Sequence, residues 1–213
     1  MLTNKCLSEI KEYEMPLKYE VDLQDIYEIS ILINTMIFEN NKVDYYTKKV
    51  QGLDRYFTIE HFELAKNIKK AFLNNNICKM LNTNSKYNHF EYNSNFIINY
   101  SEFQFEMAAG ANVTLLQHHT KIGCDLKFTS TKTLQEFKDS CIEYSYYRKA
   151  ALAMDVLDLN NFMLIGISKK NYNVFIIPIK KGDDNYKTGK KEYEYLSFNY
   201  FTFYGDLNKI KRI

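Results

Sequence analysis

The sequence predicts an α/β fold in which a mixed central sheet is flanked by helices and preceded by a helical N-terminal region. Three patterns indicate this fold. Apolar residues recur at helical spacing in the first third of the chain, and short apolar or alternating runs follow. A long helical pattern lies between the first four of these runs and the last two. Strands, a helix and two further strands are the order of an α/β sandwich. The chain has 213 residues, of which 46% are hydrophobic and 25% charged, as expected for a globular protein with a sizeable core.

Two helices are predicted in the N-terminal region, residues 1–94. The first extends from Asp22 to about Asn40, because its isoleucines fall at helical spacing. The second extends from about Ile59 to Leu81, and Thr58 before it is a suitable N-cap. A polar loop follows, and the core of the protein is predicted to span residues 95–213.

Six strands and two helices are predicted in this core. Thr131 opens a helix that is predicted to continue unbroken through Met154, and a tyrosine-rich helix is predicted after the turn at Gly182–Asn185. The strands are short apolar or alternating runs divided by turn residues. They are predicted at Asn95–Tyr100, Phe103–Met107, Asn112–Gln117, Lys121–Thr129, Phe162–Ser168 and Asn173–Ile179.

The strand Lys121–Thr129 carries an acid and a lysine two residues apart, Asp125 and Lys127. The period of two along a strand places both side chains on one face. A metal-dependent phosphodiesterase needs such a pair, because the carboxylate binds a divalent cation and the lysine steadies the attacking water or the developing phosphate charge. The pair also precedes a turn into a helix at Ser130–Thr131, which is a common place for a phosphate site.

The segment Asp125–Ser130, followed by Phe137 and then by Tyr146–Ala151, resembles the PD-(D/E)XK nuclease superfamily, and within it the phage-type exodeoxyribonucleases used in recombination. In that branch an Asp-Leu-Lys-Thr-like strand precedes a helix with a Tyr-x-Arg-Gln-Ala-Ala-like segment. The resemblance covers roughly residues 95–200. It implies a restriction-endonuclease-like core and a magnesium-dependent exodeoxyribonuclease that acts in phage recombination or DNA processing.

The resemblance also implies roles for individual residues. Asp125 and the main-chain carbonyl of Leu126 would hold Mg²⁺ or Mn²⁺, and Lys127 would orient the attacking water. Glu106 is the candidate from outside the family pattern for a further carboxylate ligand. The residues expected to bind phosphate or DNA lie on the helix after the strand, and they are Arg148, Lys149 and Tyr146. For Tyr146 and Arg148, packing against the sheet is the alternative. Glu106 stands on the polar side of an alternating run, so a merely solvated position is its alternative.

One acid that the resemblance implies is missing from this chain. The family has an aspartate about ten to thirteen residues before Asp125, where this chain has Gly110–Leu116 and no acid. Thr114 aligns best with the aspartate position, and Asn112 is the second choice. Lys149 replaces the family's glutamine, and its charge would weaken cation binding. Because Mg²⁺ prefers anionic oxygen ligands, we expect the metal to bind weakly.

Two functions therefore remain open. The chain is either a metal-dependent deoxyribonuclease or a catalytically inactive pseudo-nuclease that serves as a DNA-binding, protein-binding or inhibitory module. An unrelated α/β protein with a chance Asp-x-Lys pair is a third reading. DNA is the expected partner, with a homo-oligomer or a phage recombination protein as further options. No run approaches the roughly 18 apolar residues of a membrane span, and the scattered cysteines indicate reduced thiols in the cytoplasm. The net charge is only +2, so a basic DNA-binding surface has to be local.

Overall fold

The computed structural model describes residues 2–14, 23–86, 93–100, 103–111, 113–117, 120–204 and 211–212. The helices in these ranges are α1 (Asn4–Glu14), α2 (Leu23–Phe38), α3 (Ile59–Asn74), α4 (Asn76–Asn84), α5 (Leu134–Glu143), α6 (Tyr146–Val156) and α7 (Asp184–Tyr204). The strands are β1 (Leu2–Thr3), β2 (Val43–Asp44), β3 (Lys49–Val50), β4 (Ser85–Lys86), β5 (Asn93–Tyr100), β6 (Phe103–Ala109), β7 (Val113–Gln117), β8 (Thr120–Thr129), β9 (Asn161–Ser168), β10 (Val174–Lys180) and β11 (Lys211–Arg212).

A five-stranded sheet with the order β10-β9-β8-β7-β4 forms the centre of the molecule. Strands β8 and β9 are parallel, with Asp125 opposite Leu164 and Lys127 opposite Gly166. The other neighbours in this sheet are antiparallel. A parallel pair needs a long crossover connection, and α5 and α6 supply it. The mixed sheet predicted from the sequence is therefore confirmed.

Helices cover both faces of this sheet. On β8, Cys124 and Leu126 belong to a core that also contains buried residues of α2, α3 and α4. On the other face, Phe162 and Leu164 of β9 belong to a core formed with α1, α5, α6 and α7. This alternation explains the apolar character of the two strands, since each is buried on both sides. The flanking helices and the helical N-terminal region agree with the predicted fold. None of the helices in the described ranges is both long and apolar enough to cross a membrane.

A second sheet forms around β6. Strand β5 pairs with β6 in an antiparallel manner, β1 pairs with it in parallel and β11 pairs with it antiparallel. The sequence pattern did not separate the strands into two sheets, because short apolar runs carry no information about which strands pair. As a result, Glu106 on β6 and Asp125 on β8 lie in different sheets.

The single helix predicted from Thr131 through Met154 starts later and is interrupted. It begins at Leu134, because Thr133 is its N-cap. Helix α5 ends at Glu143 and α6 begins at Tyr146. Between them Ser145 adopts a left-handed conformation with φ of 55°, which a continuous right-handed helix cannot contain. The Ser145 hydroxyl accepts a hydrogen bond from Lys11 Nζ at 2.5 Å and donates one to Glu192 Oε1 at 2.5 Å. Contacts from distant elements thus hold the break in place.

The helix predicted from Ile59 to Leu81 is also divided. Helix α3 ends at Asn74, and Asn75 has an extended backbone with ψ of 125°. The Asn75 side-chain oxygen accepts hydrogen bonds from the backbone N–H groups of Ile77 and Cys78 at 3.1 and 3.2 Å. This arrangement is an N-cap, so Asn75 both ends α3 and starts α4.

Candidate active site

Asp125 lies at the centre of the candidate site. Its strand β8 is flanked by β7 and β9 within the central sheet, and its side chain is 0% exposed. Because side chains alternate along a strand, Asp125 lies on the face opposite to Cys124 and Leu126. Helices α5 and α6 pack on this side, so the sequence order strand, turn, helix places a buried carboxylate against the start of α6.

Two ammonium groups contact one oxygen of this carboxylate. Lys127 Nζ lies 2.8 Å from Asp125 Oδ2, and Lys149 Nζ lies 3.1 Å from the same atom. Lys127 reaches it from the same strand, as the period-two spacing predicted, and Lys149 reaches it from the first residues of α6. The lysine side chains are 19% and 25% exposed, so their charges lie between the core and the solvent. The three side chains together carry a net charge of +1.

Burial and charge act on Asp125 in opposite directions. Burial alone would raise the pKa of Asp125, but the ammonium groups of Lys127 and Lys149 hold the pKa of this carboxyl below its usual range. Burial lowers the pKa of Lys149, and the neighbouring carboxylate opposes that effect. Asp125 Oδ1 is buried and accepts no hydrogen bond from any residue that the structure describes. The carboxylate is thus ionised at neutral pH, and its Oδ1 has no donor among the described residues.

Two tyrosine rings extend the site towards the surface. Lys127 Nζ lies 4.4 Å from the centroid of the Tyr146 ring, a cation–π contact. The Tyr146 ring stacks on Tyr144 with 5.9 Å between centroids and an interplanar angle of 28°. Tyr144 is 51% exposed. Residues two apart do not face each other on a continuous helix, so the break at Ser145 is what brings these rings together.

The remaining predicted residues lie elsewhere. Arg148 is 2% exposed and is buried against α1, where it donates hydrogen bonds to Asn4 Oδ1 at 3.1 Å and Ser8 Oγ at 2.7 Å. Successive helix residues point about 100° apart, so Arg148 and Lys149 serve different surfaces. Glu106 is exposed on β6, where it pairs with Ile97 of β5. Both residues belong to the second sheet, which does not contain Asp125.

The proposed aspartate position is only partly described. Thr114 on β7 pairs with Gly123, which shares a face of β8 with Asp125, so this position has the register that a second carboxylate would need. The side chain of Thr114 and the whole of Asn112 lie outside the described residues. The structure therefore joins Asp125, Lys127, Lys149 and Tyr146. It adds Tyr144, which stacks on Tyr146 and lies within the range predicted as one continuous helix.

The described residues at this site do not fit Mg²⁺. Mg²⁺ takes oxygen ligands in a near-octahedral arrangement, and Asp125 is the only carboxylate in the cluster formed with Lys127 and Lys149. No group of three or more His, Cys, Asp or Glu residues suited to a metal is found in the described part of the chain. Two unit charges 4 Å apart near a protein surface interact by about 4 kcal/mol, and a divalent cation doubles that repulsion from each ammonium. The cluster is cationic and suited to an anion.

Comparison with known proteins supports the fold. No protein-family model and no curated protein matches this chain. A candidate exonuclease from Eubacterium rectale aligns with 99% of this chain and 83% of its own, with a TM-score of 0.54 and 9% identity. The alkaline exonuclease LHK-Exo from Laribacter hongkongensis aligns with 93% of this chain and 86% of its own, with a TM-score of 0.39 and 11% identity. At these identities the likeness to the first structure establishes a shared mixed α/β fold.

Proposed function

We propose that this protein is a DNA-binding protein with a nuclease-like fold, in which Lys127 and Lys149 bind a backbone phosphate without magnesium-dependent cleavage. The observation that carries the proposal is the contact of both ammonium groups with Asp125 Oδ2, at 2.8 and 3.1 Å. The shared fold with a candidate exonuclease supports DNA as the polymer. Such a protein is a pseudo-nuclease, one of the two functions that the sequence leaves open.

Phosphate is the ligand that this charge arrangement favours. Lysine ammonium groups bind phosphate as point charges, and the phosphate backbone supplies most of the affinity in sequence-independent DNA binding. Asp125 is fully buried, whereas both lysines keep part of their surface in solvent. An approaching phosphate therefore meets the ammonium groups first. The carboxylate behind them fixes their positions, and this reduces the side-chain entropy lost on binding.

The tyrosines favour DNA with an unpaired strand. Tyr144 is half exposed, and its ring continues the stack formed by Tyr146 and the Lys127 ammonium. An exposed ring next to a cation is the arrangement with which proteins bind single strands, because each base can stack on the ring while the cation holds the neighbouring phosphate. A duplex with a single-stranded overhang should therefore bind more tightly than a blunt duplex.

A magnesium-dependent exodeoxyribonuclease of the phage recombination type is the second candidate. The specific observation in its favour is the arrangement of Asp125 and Lys127 on one strand face with 2.8 Å between their charged atoms. This activity requires a further carboxylate beside Asp125, which the described residues do not supply. It also requires that the Lys149 ammonium move away from Asp125 Oδ2, which it contacts at 3.1 Å. Glu106, the predicted further carboxylate, is exposed in the other sheet.

Binding is tested by fluorescence anisotropy in EDTA, with end-labelled DNA that has either a single-stranded overhang or blunt ends. We expect Lys127→Ala/Lys149→Ala to lower the affinity for both DNAs by at least about tenfold and to reduce the salt dependence. Tyr144→Ala should weaken binding to the overhang alone, by roughly 1–3 kcal/mol per stacked base. Lys180→Ala is the matched control, because it removes an exposed lysine at the far edge of the sheet. Equal affinities for wild type and the double variant would refute the proposal.

Cleavage is tested with the same DNAs in Mg²⁺ and in Mn²⁺. We expect the wild-type protein to leave both DNAs intact at concentrations that saturate binding. Degradation by the wild type that is lost in both Asp125→Asn and Lys127→Ala would instead establish the second candidate. Degradation that survives both substitutions would place the active site elsewhere.

A further inference from the structure

The Lys149 ammonium lies 3.1 Å from Asp125 Oδ2 and places a positive charge directly beside the buried carboxylate. We infer that Lys149 is a built-in replacement for a metal ion: it adds a second positive charge beside Asp125, ties α6 to β8 and excludes divalent cations from the carboxylate. This inference rests on the proposed function in one part, the absence of magnesium-dependent cleavage, for which it gives a cause. Its test needs no nucleic acid, so it can fail while DNA binding by Lys127 and Lys149 stands.

The first argument is that Asp125 has more counter-charge than it needs. Lys127 alone, at 2.8 Å, already provides one full positive charge from the adjacent face position of the same strand. The second ammonium comes from a different element and approaches the same oxygen to 3.1 Å. A metal ion bound to Asp125 could link β8 to a neighbouring helix by its positive charge. Here the Lys149 side chain of α6 makes that link.

The second argument is that the position of Lys149 is otherwise unfavourable. It lies close to the N-terminus of α6, where the helix dipole disfavours a positive charge. It is also largely withdrawn from solvent, with 25% of its side chain exposed. The contact with Asp125 offsets both effects. The ion pair with Asp125 therefore holds the Lys149 ammonium in this position. An ammonium in this position repels a divalent cation that approaches Asp125.

The third argument concerns the unused acceptor of Asp125. Its Oδ1 is buried and accepts no hydrogen bond within the described residues. If the Lys149 charge were removed, Asp125 would keep only the Lys127 ammonium, and its Oδ1 would still have no donor among the described residues. Carboxylate oxygens are the ligands that Mg²⁺ and Mn²⁺ prefer. The charge of Lys149 therefore decides whether the site can take up such an ion.

The experiment measures Mn²⁺ uptake by electron paramagnetic resonance of the free ion. We expect no uptake by the wild type at micromolar to millimolar Mn²⁺, and an affinity at least tenfold higher in Lys149→Gln, which removes the charge. Lys149→Arg keeps the charge and should behave as the wild type does. Asp125→Asn in the Lys149→Gln background should abolish the gain, because it removes the ligand.

Lys11→Gln is the matched control. Lys11 Nζ lies 2.9 Å from Glu192 Oε1, and Arg148 Nη1 lies 3.6 Å from the same atom, so Glu192 also has two cationic neighbours. Removing one of them should not create Mn²⁺ binding. A gain in Lys11→Gln as large as that in Lys149→Gln would overturn the inference, since any carboxylate with one neighbour removed would then suffice.

A second readout covers the case in which a variant is unstable. Thermal melts in Mn²⁺ and in EDTA are compared for Lys149→Gln and for Lys149→Met, which keeps the length of the stem. We expect Mn²⁺ to raise the melting temperature of at least one of them and to leave the wild type unchanged. Stabilisation of neither variant, or Mn²⁺ uptake by the wild type that Asp125→Asn removes, would overturn the inference.

Discussion

Asp125 illustrates how a buried charge is tolerated. A carboxylate that is withdrawn from water needs a partner, and this one has two ammonium groups within 3.1 Å. Removing one member of a buried pair costs about 3–5 kcal/mol, whereas replacing both members by neutral groups of similar size is often close to neutral. We therefore infer that the cluster of Asp125, Lys127 and Lys149 fixes the geometry of the site more than it stabilises the fold.

The pH dependence of stability should show the charge of Asp125. Its pKa in the folded protein lies below the usual value of 3.8, so the unfolded chain binds more protons as the pH falls into this range. The contribution of Asp125 to stability is then fully present above pH 3.8 and is lost as the pH falls through the folded pKa. We expect urea unfolding from pH 6 towards pH 3 to show a steeper loss for wild type than for Asp125→Asn/Lys149→Met. Parallel curves would contradict this.

Part of the site could be predicted from single residues. Alternation along one strand was enough to place Asp125 and Lys127 on one face, and the family resemblance pointed to Lys149 and Tyr146. The direction of Arg148 could not be predicted, because it depends on α1, for which the sequence reading gave no helix. The stack of Tyr144 on Tyr146 was missed as well, since it exists only where the helix is broken.

Most helices and strands could be predicted from the sequence, but the breaks within the predicted helices, at Asn75 and Ser145, could not. Local alternation and capping residues predicted the strands β8 to β10 and the start of α3. The break between α5 and α6 has no glycine or proline, and an apolar stripe continues across it. At the break the Ser145 hydroxyl forms hydrogen bonds with Lys11 and Glu192, which are far away in the sequence and stabilise the interruption. Such tertiary effects override local helix preference.

Helices α6 and α7 approach each other closely at Gly189. A Cβ atom at this position would lie 2.1 Å from the Tyr147 carbonyl oxygen and 2.8 Å from the Arg148 backbone nitrogen. Backbone atoms of a packed helix cannot move aside easily, so we expect Gly189→Ala to destabilise the protein by about 1–3 kcal/mol despite alanine's higher helix propensity. Urea unfolding measures this, with the exposed Thr188→Ala on the same helix as the control, expected within about 0.5 kcal/mol. A Gly189→Ala protein more stable than wild type would show that the helices can separate freely.

Across the whole molecule, the N-terminal helix α1 is fastened to the helices that carry the site. Arg148 binds Asn4 and Ser8 of α1, and Lys11 of α1 binds Ser145 and Glu192. Leu7 and Ile10 of α1 are buried in the core that α6 and α7 share. The first residues of the chain thus fix the break that positions the tyrosine stack, although none of them contacts Asp125 in the described structure.

This arrangement predicts that Arg148 acts on the site through α1 and not by contact with DNA. Arg148→Met keeps the apolar stem but removes a buried guanidinium, and each hydrogen bond to a charged group contributes about 1.5–3 kcal/mol. We expect a loss of stability of about 3 kcal/mol and faster hydrogen exchange in residues 4–14 and 143–149. Exchange in α3, on the other side of the sheet, should be unchanged and serves as the internal control.

The same variant also separates the two roles considered for Arg148. If the guanidinium bound phosphate, Arg148→Met would reduce the salt dependence of DNA binding, because one fewer counter-ion would be released. If it fastens α1, the salt dependence should stay the same, and the loss of affinity should be greater for DNA with an overhang, since Tyr144 depends on the helix break. A reduced salt dependence with unchanged exchange in α1 would show that Arg148 reaches the DNA itself.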